Sequence, residues 1–175
     1  MKPANNKPKF LADQMLGRLA KWLRILGFDT KYFNSIDDAE LLRIAKEEDR
    51  ILLTRDTQLL KRRPIVRNSI SAIHVNSDDL INQLDQIIND VDLADLVAGT
   101  ALSPLCIHCN WPIHEIQKDL ARGRVPSYVY RTQHEFCLCP KCGRIYWKGT
   151  HWERIKEKLQ AALDKKAHSK DNGEA

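Results

Sequence analysis

Two Cys-x-x-Cys pairs constrain this chain more than any other feature. Cys106-Ile107-His108-Cys109 and Cys139-Pro140-Lys141-Cys142 stand 29 residues apart. Tetrahedral zinc takes four thiolates at about 2.3 Å. One such turn supplies two of them and a second turn closes the shell, so the intervening residues must fold back on themselves. Gly143, directly after the second pair, suits the backbone reversal needed there. The pattern predicts a structural zinc held by Cys106, Cys109, Cys139 and Cys142, with no open position for chemistry. An iron–sulfur cluster or a redox pair explains two matched pairs less well. Cys137, the fifth cysteine, is expected to be a bystander or packing residue, with replacement of Cys139 as the alternative. His108, His114, His134 and His151 are expected to be surface or packing residues.

All five cysteines lie between positions 106 and 142 of a chain of 175 residues. The stretch from Met1 to Lys9 is polar, with no export signal core. Clustered cysteines in such a chain favour metal over disulfides. A cytoplasmic location is the default expectation, and no apolar run approaches the roughly 20 residues of a membrane helix.

Upstream of the cysteines the apolar pattern alternates between short runs and helical stripes. Lys9-Phe10-Leu11-Ala12 reads as a strand ending at Asp13. Apolar positions 16, 19, 20, 23 and 26 predict a helix from Gln14 to Leu26, with Gly27 as its C-cap. Asp29 to Phe33 is a second strand, and a helix follows over about 38–48. Ile51-Leu52-Leu53-Thr54-Arg55-Asp56 is a third strand, apolar on both faces as buried parallel strands are, and it ends in polar groups. Gln58 to Arg63 is a candidate short helix that Pro64 closes. Ser71 to Val75 is a fourth strand, and Leu80, Leu84, Ile87 and Ile88 mark another helix. Short βαβ connections imply parallel strands with right-handed crossovers. The expected architecture is α/β: a small α/β/α sandwich over residues 9–98, with the cysteine module and a terminal helix carrying Trp152, Ile155, Leu159 and Leu163 over residues 99–164. Residues 165–175 read as a disordered tail.

Charge is uneven. Residues 1–100 balance 15 basic against 15 acidic side chains, while residues 101–175 carry 13 against 8. The cysteine module interleaves Arg122, Arg124, Arg131, Lys141, Arg144, Lys148 and Arg154 with Trp111, Tyr128, Tyr130, Tyr146, Trp147 and Trp152. Cations hold phosphates and aromatic faces stack on bases, so the mixture suits single-stranded nucleic acid. A small module also needs large aromatics to fill its core, so most of these are expected to be core, with one or two exposed.

Ligands of open α/β sheets bind beyond the carboxyl ends of the strands. Asp13 and Asp56 end two strands, Asp37-Asp38 open the helix before the third, and Asp78-Asp79 follow the fourth. Acids gathered at one edge are costly unless a cation binds, and Mg²⁺ or Mn²⁺ favours such oxygens. Each acid alone is as readily a helix cap: Asp37 with Glu40 as a capping box, Ser77 or Asp78 before the helix that begins near Asp79, and Asp13 before the first helix. Thr54, Asn76 or Ser77 could position a water or phosphate, and Arg55 a substrate phosphate.

Phe10-Leu11-Ala12-Asp13, the stretch from Leu19 to Gly27, Asp38-Ala39-Glu40-Leu41 with Ala45, and Arg50 to Asp56 resemble the PIN-like RNase domain found at the C-terminus of mutator exonucleases. Cys139-Pro140-Lys141-Cys142-Gly143-Arg144-Ile145-Tyr146-Trp147, followed by Gly149-Thr150-His151-Trp152, resembles that family's zinc ribbon. The resemblance covers about residues 9–155. It implies a PIN-like fold and a metal-dependent RNase whose acidic site maps onto Asp13, Asp38 and Asp56, with Asp78 or Asp79 as a fourth acid. Typical PIN domains often carry glutamate where Asp38 stands, and Asp37 competes for that place. The large exonuclease region of the longer proteins is missing here, so a stand-alone module is expected.

The reading is thus a Mg²⁺- or Mn²⁺-dependent ribonuclease, expected to be an endonuclease. Asp13, Asp38, Asp56 and Asp78 would be catalytic, and Thr54, Arg55, Arg144 and Lys148 would contact RNA. The rival is a non-catalytic zinc-ribbon RNA-binding protein acting with a larger RNA machine. A protein-interaction adaptor is a third reading.

Overall fold

Successive residues of a strand face opposite ways, and here both faces are apolar, so the sheet must be covered twice. The computed structural model describes residues 7–93, 97, 104–149 and 157. Four short strands, β1 (Phe10–Ala12), β2 (Thr30–Tyr32), β3 (Ile51–Thr54) and β4 (Ala72–His74), form a sheet of order β2-β1-β3-β4. All pairings are parallel. Phe10, Ala12 and Leu53 pack under α1 (Gly17–Ile25) and α5 (Leu80–Asp90). Leu11 and Leu52 face the other way, against α2 (Asp38–Glu47) and Leu59 of α3 (Thr57–Leu60). The result is the expected three-layer α/β/α arrangement.

Local signals explain most element ends. Gly27 takes φ 80° after α1, and its N–H donates to the Arg24 carbonyl. Asp37 caps α2 by accepting from the Glu40 N–H at 2.9 Å. The Glu40 carboxylate pairs with Arg43. Three expectations need correction. The first helix is preceded by a separate 3-10 turn, Gln14–Leu16. Pro64 lies in the first turn of a further short helix, α4 (Arg63–Val66), which it opens instead of ending a longer one; an imide nitrogen is tolerated where no intrahelical donor is needed. Asp79, and neither Ser77 nor Asp78, caps α5, accepting from the Ile81 and Asn82 N–H groups at 3.0 Å each.

A second, antiparallel sheet of order β5-β6-β7 is built from β5 (His114–Ile116), β6 (Phe136–Leu138) and β7 (Ile145–Trp147). With α6 (Ser127–Thr132) it encloses a core of Ala121, Val129 and Phe136. Residues 98–103, where the expected sandwich meets the cysteine module, most of the expected terminal helix and the 165–175 tail lie outside the described residues. Among the described residues no helix is long and apolar enough to cross a membrane.

The cysteine module docks at the amino ends of the parallel strands. Arg24, buried at the end of α1, donates to the Thr30 carbonyl at 2.8 Å and to the Ile107 carbonyl at 2.6 Å. Asn110 accepts from the Thr30 N–H at 3.1 Å and donates to Asp29 at 2.5 Å. Burial alone would raise the Asp29 carboxyl, but hydrogen bonds from Arg50 and Asn110 hold it below the usual carboxylate range. Arg50, also buried, meets Asp29 at 2.8 Å and Glu48 at 2.7 Å.

Asn110 also holds a left-handed φ of 57°. Asn110→Gly keeps that φ and loses only the two side-chain bonds, whereas Asn110→Ala loses the bonds and adds strain of about 1–2 kcal/mol. Chemical denaturation should therefore place the alanine variant lowest in stability and the glycine variant between it and wild type. Equal losses would show that the φ does not matter.

Candidate active site and metal centre

The sheet order places the chain reversal between β1 and β3, the two central strands, and Asp13 and Asp56 leave their carboxyl ends. This is the switch point where open α/β sheets bind ligands. Thr54, fully buried, joins the two acids. Its hydroxyl donates to Asp13 Oδ2 at 2.8 Å and accepts from the Asp56 N–H at 2.9 Å. Asp13 Oδ1 accepts from the Gln14 N–H at 2.5 Å. Asp56 Oδ1 caps α3, accepting from the Gln58 N–H at 2.7 Å. Cap and ligand are therefore compatible roles: the cap occupies one oxygen of Asp56, and Oδ2 has no protein donor among the described residues. Thr54 is too enclosed for the substrate contact expected of it. Its hydroxyl is committed to holding the two aspartates.

The two outer acids are held by arginines. Asp38 Oδ2 lies 2.8 Å from Arg62. Asp78, widely exposed, is bonded by Arg55. Asp79 is committed to its cap, which leaves Asp78 as the available member of that pair. Arg55, expected to meet a phosphate, is in this structure an ion-pair partner. Among the described residues, no three carboxylates bring oxygens within 4.8 Å of one another; the group that meets this measure is the four cysteines. An ion shared by three of these acids would place their oxygens within about 4.2 Å, given Mg–O bonds of about 2.0–2.1 Å. The oxygen donors present suit an ion held by one or two carboxylates and otherwise by water, as Mg²⁺ commonly is.

The cysteine centre is built from two turns of the same design. The Asn110 N–H donates to the Cys106 carbonyl at 2.9 Å, and the Gly143 N–H to the Cys139 carbonyl at 2.8 Å. Each donor takes a left-handed φ, 57° and 71°. The Cys106 and Cys139 N–H groups donate to the carbonyls of Trp111 and Arg144 in turn. The turns bring Cys106 Sγ to 3.7 Å from Cys142 and Cys109 Sγ to 3.4 Å from Cys139. Four sulfurs at 2.3 Å around a tetrahedral ion lie about 3.8 Å apart, far longer than a disulfide bond of about 2.05 Å. These thiols could hold one metal ion, and their separations are compatible with zinc. Cys137 lies outside the cluster, on β6 opposite Tyr146.

The cluster's electrostatics disfavour a second thiolate unless a cation is bound. Burial works against the Cys106 thiolate, but hydrogen bonds from Tyr146 and the Cys109 backbone favour it, and its pKa falls to about 6. Burial and the neighbouring Cys106 and Cys139 sulfurs push Cys109 up to about 12. One thiolate thus opposes the next, a conflict that a divalent ion relieves. The Tyr146 hydroxyl lies 3.0 Å from Cys106 Sγ and ties β7 to the cysteine cluster. Tyr146, Asn110 and Arg24 carry structural work that sequence spacing did not flag. Asparagine directly after a Cys-x-x-Cys pair, as the commonest non-glycine left-handed residue, was the one legible signal.

Elsewhere on the module Lys148 pairs with Glu135 at 2.5 Å, and Arg144 is exposed. Tyr130 is partly buried and stacks on Phe136. Trp111, Tyr128 and Trp147 are exposed, three where one or two were expected. Trp152 and Arg154 lie outside the described residues.

A family model described as the Mut7-C RNAse domain matches residues 8–159. No curated protein and no solved structure matches the chain.

Proposed function

Because the chain belongs to the Mut7-C RNAse domain family, we propose that it is a cytoplasmic, metal-dependent ribonuclease that cleaves RNA phosphodiester bonds internally. The observation that carries this reading is the Asp13–Thr54–Asp56 constellation at the switch point of the parallel sheet. Asp13 and Asp56 would hold Mg²⁺ or Mn²⁺, with Asp38 and Asp78 at the rim. Such an ion, when bound, supplies an activated water and positive charge for the leaving oxygen.

The chain's own residues do the positioning. Thr54 holds Asp13, and the β1–β3 pairing sets the distance to Asp56. Arg55 and Arg62 neutralise Asp78 and Asp38 in the absence of RNA. Either arginine could exchange its carboxylate for a phosphate oxygen, since guanidinium binds both in the same forked geometry. Release of Asp38 or Asp78 would then accompany RNA binding. The four cysteines would hold a structural zinc, and Arg144 and Lys148 would help the ribbon bind RNA.

Cleavage of a closed circular single-stranded RNA by the pure protein, with Mg²⁺ or Mn²⁺ added, tests both activity and mode. Linearisation supports an endonuclease; binding without cleavage under either metal would favour the non-catalytic RNA-binding reading.

Thr54→Val preserves shape and removes both hydroxyl bonds. It is expected to cost about 1–3 kcal/mol of stability by leaving buried polar groups unpaired. Cleavage should fall roughly 10–100-fold, the usual effect of losing a residue that orients a metal ligand. Unchanged cleavage in Thr54→Val would detach Thr54 from the site.

A further inference from the structure

The cationic surface of the first half is hidden by its neutral total. Residues 55–67 hold five cations, Arg55, Lys61, Arg62, Arg63 and Arg67, against the single acid Asp56. The fold sets α4 beside α2, and a groove of about 480 Å³ runs between them. Its floor is apolar, from Ala39, Leu42, Pro64 and Ile70, and its rim carries Lys46, Arg63 and Arg67. A second groove shares Ala39, Leu42, Arg63 and Pro64 with it and reaches Asp38. The two form one path that starts at the acidic edge and descends along α2.

The cations along this path differ in one respect. Arg43 is balanced by Glu40 and Glu47, and Arg62 by Asp38. Among the described residues no carboxylate pairs with Lys46, Arg63 or Arg67 around the first groove, nor with Lys61 in the second, and all four are exposed. Three unbalanced cations around an apolar floor suit a ligand with regularly spaced negative charge and a less polar body between the charges. From Asp38 to Lys46 the path follows about 12 Å of helix at 1.5 Å per residue, room for more than one phosphate.

We propose that the α2–α4 groove is a binding track for the phosphodiester backbone of single-stranded RNA, leading the strand to the Asp13–Asp56 edge. This rests on the ribonuclease reading above and adds a site to it. Lys46, Arg63 and Arg67 contact successive phosphates, and the floor receives ribose and base without aromatic stacking or base-edge readout, so the contact is indifferent to sequence. The ribbon docks at the opposite, amino-terminal edge of the sheet, so the acidic edge has its own supply of cations on the flank that leads to it.

The test measures binding of a fluorescent oligouridylate to zinc-loaded protein carrying Asp56→Asn, across a range of salt. Each phosphate contact on a single strand contributes about 0.7 to the slope of log K against log salt. Adding Lys46→Gln, Arg63→Gln and Arg67→Gln together should lower that slope by about 2 and weaken binding about 100-fold at 0.1 M salt. Lys46→Arg, Arg63→Lys and Arg67→Lys together keep the charges and should keep the slope. All replaced side chains are exposed, and thermal melting verifies the fold of each variant. A glutamine variant that binds with the parent slope, while the wild-type aspartate enzyme cleaves RNA, overturns the track and leaves the ribonuclease reading intact. Loss of slope in the charge-preserving variant also overturns it. A wild-type protein that neither binds nor cleaves RNA overturns both.

Discussion

Asp56→Asn is expected to reduce metal-dependent RNA cleavage by more than about 100-fold while leaving the fold unchanged. Removing a group that merely orients a metal ligand typically costs 10–100-fold, so removing a carboxylate that holds the ion should cost more. The substitution separates the two jobs of this side chain. Asparagine caps a helix about as well as aspartate, so the bonds that Asp56 accepts from the Gln58 and Leu59 N–H groups survive. What is lost is the charge. Cleavage of a labelled single-stranded RNA with Mg²⁺ or Mn²⁺ reads the activity, and a melting curve reads the fold. Cleavage equal to wild type would remove Asp56, and with it the switch-point site, from the mechanism.

Cys139→Ser is expected to abolish zinc binding and unfold the ribbon. The ribbon's own core is three buried side chains, Ala121, Val129 and Phe136, too few to order some forty residues. In modules of this kind zinc binding is folding energy, with apparent values of about 10–16 kcal/mol. The parallel-sheet half has two larger cores that do not draw on the ribbon, so it should keep its amide protection while the ribbon loses it. Loss of the ribbon also strips Arg24 of the Ile107 carbonyl and Asp29 of Asn110. Metal analysis should give one zinc per wild-type chain and none in the variant, and hydrogen exchange should localise the unfolding. Acidification has the same sign. Thiolates must be deprotonated to hold the ion, so zinc release and ribbon unfolding should proceed together as pH falls. A ribbon that stays protected without metal would refute the structural role.

Legibility in the sequence followed how local each determinant is. The Cys-x-x-Cys turns were readable because each sets two ligands and a chain reversal within a few residues, and the matched pairs, 29 residues apart, complete one another. The parallel sheet was readable from the apolar runs Phe10-Leu11-Ala12 and Ile51-Leu52-Leu53, which need cover on both faces. Pro64 was misread because proline stops one helix and starts another with equal ease, and only the neighbouring Arg62 conformation decides which. Asp78 and Asp79 could not be told apart for a similar reason: either can cap, and the choice depends on where α5 begins by one residue.

By itself, then, the sequence determined the α/β architecture, the pairing of the four cysteines into one centre, and the arrival of Asp13 and Asp56 at strand ends. Those depend on periodicity and short-range spacing. The tertiary structure decided which groups stand beside them. It buried Thr54 between Asp13 and Asp56, set Arg62 against Asp38 and Arg55 against Asp78, and docked the ribbon through Arg24 and Asn110 at the edge away from the acids. It also gathered Lys46 with Arg63 and Arg67 into one groove. Each of these joins residues far apart in the chain, and their proximity follows from strand pairing and from how helices and the ribbon pack on the sheet, which no local pattern encodes.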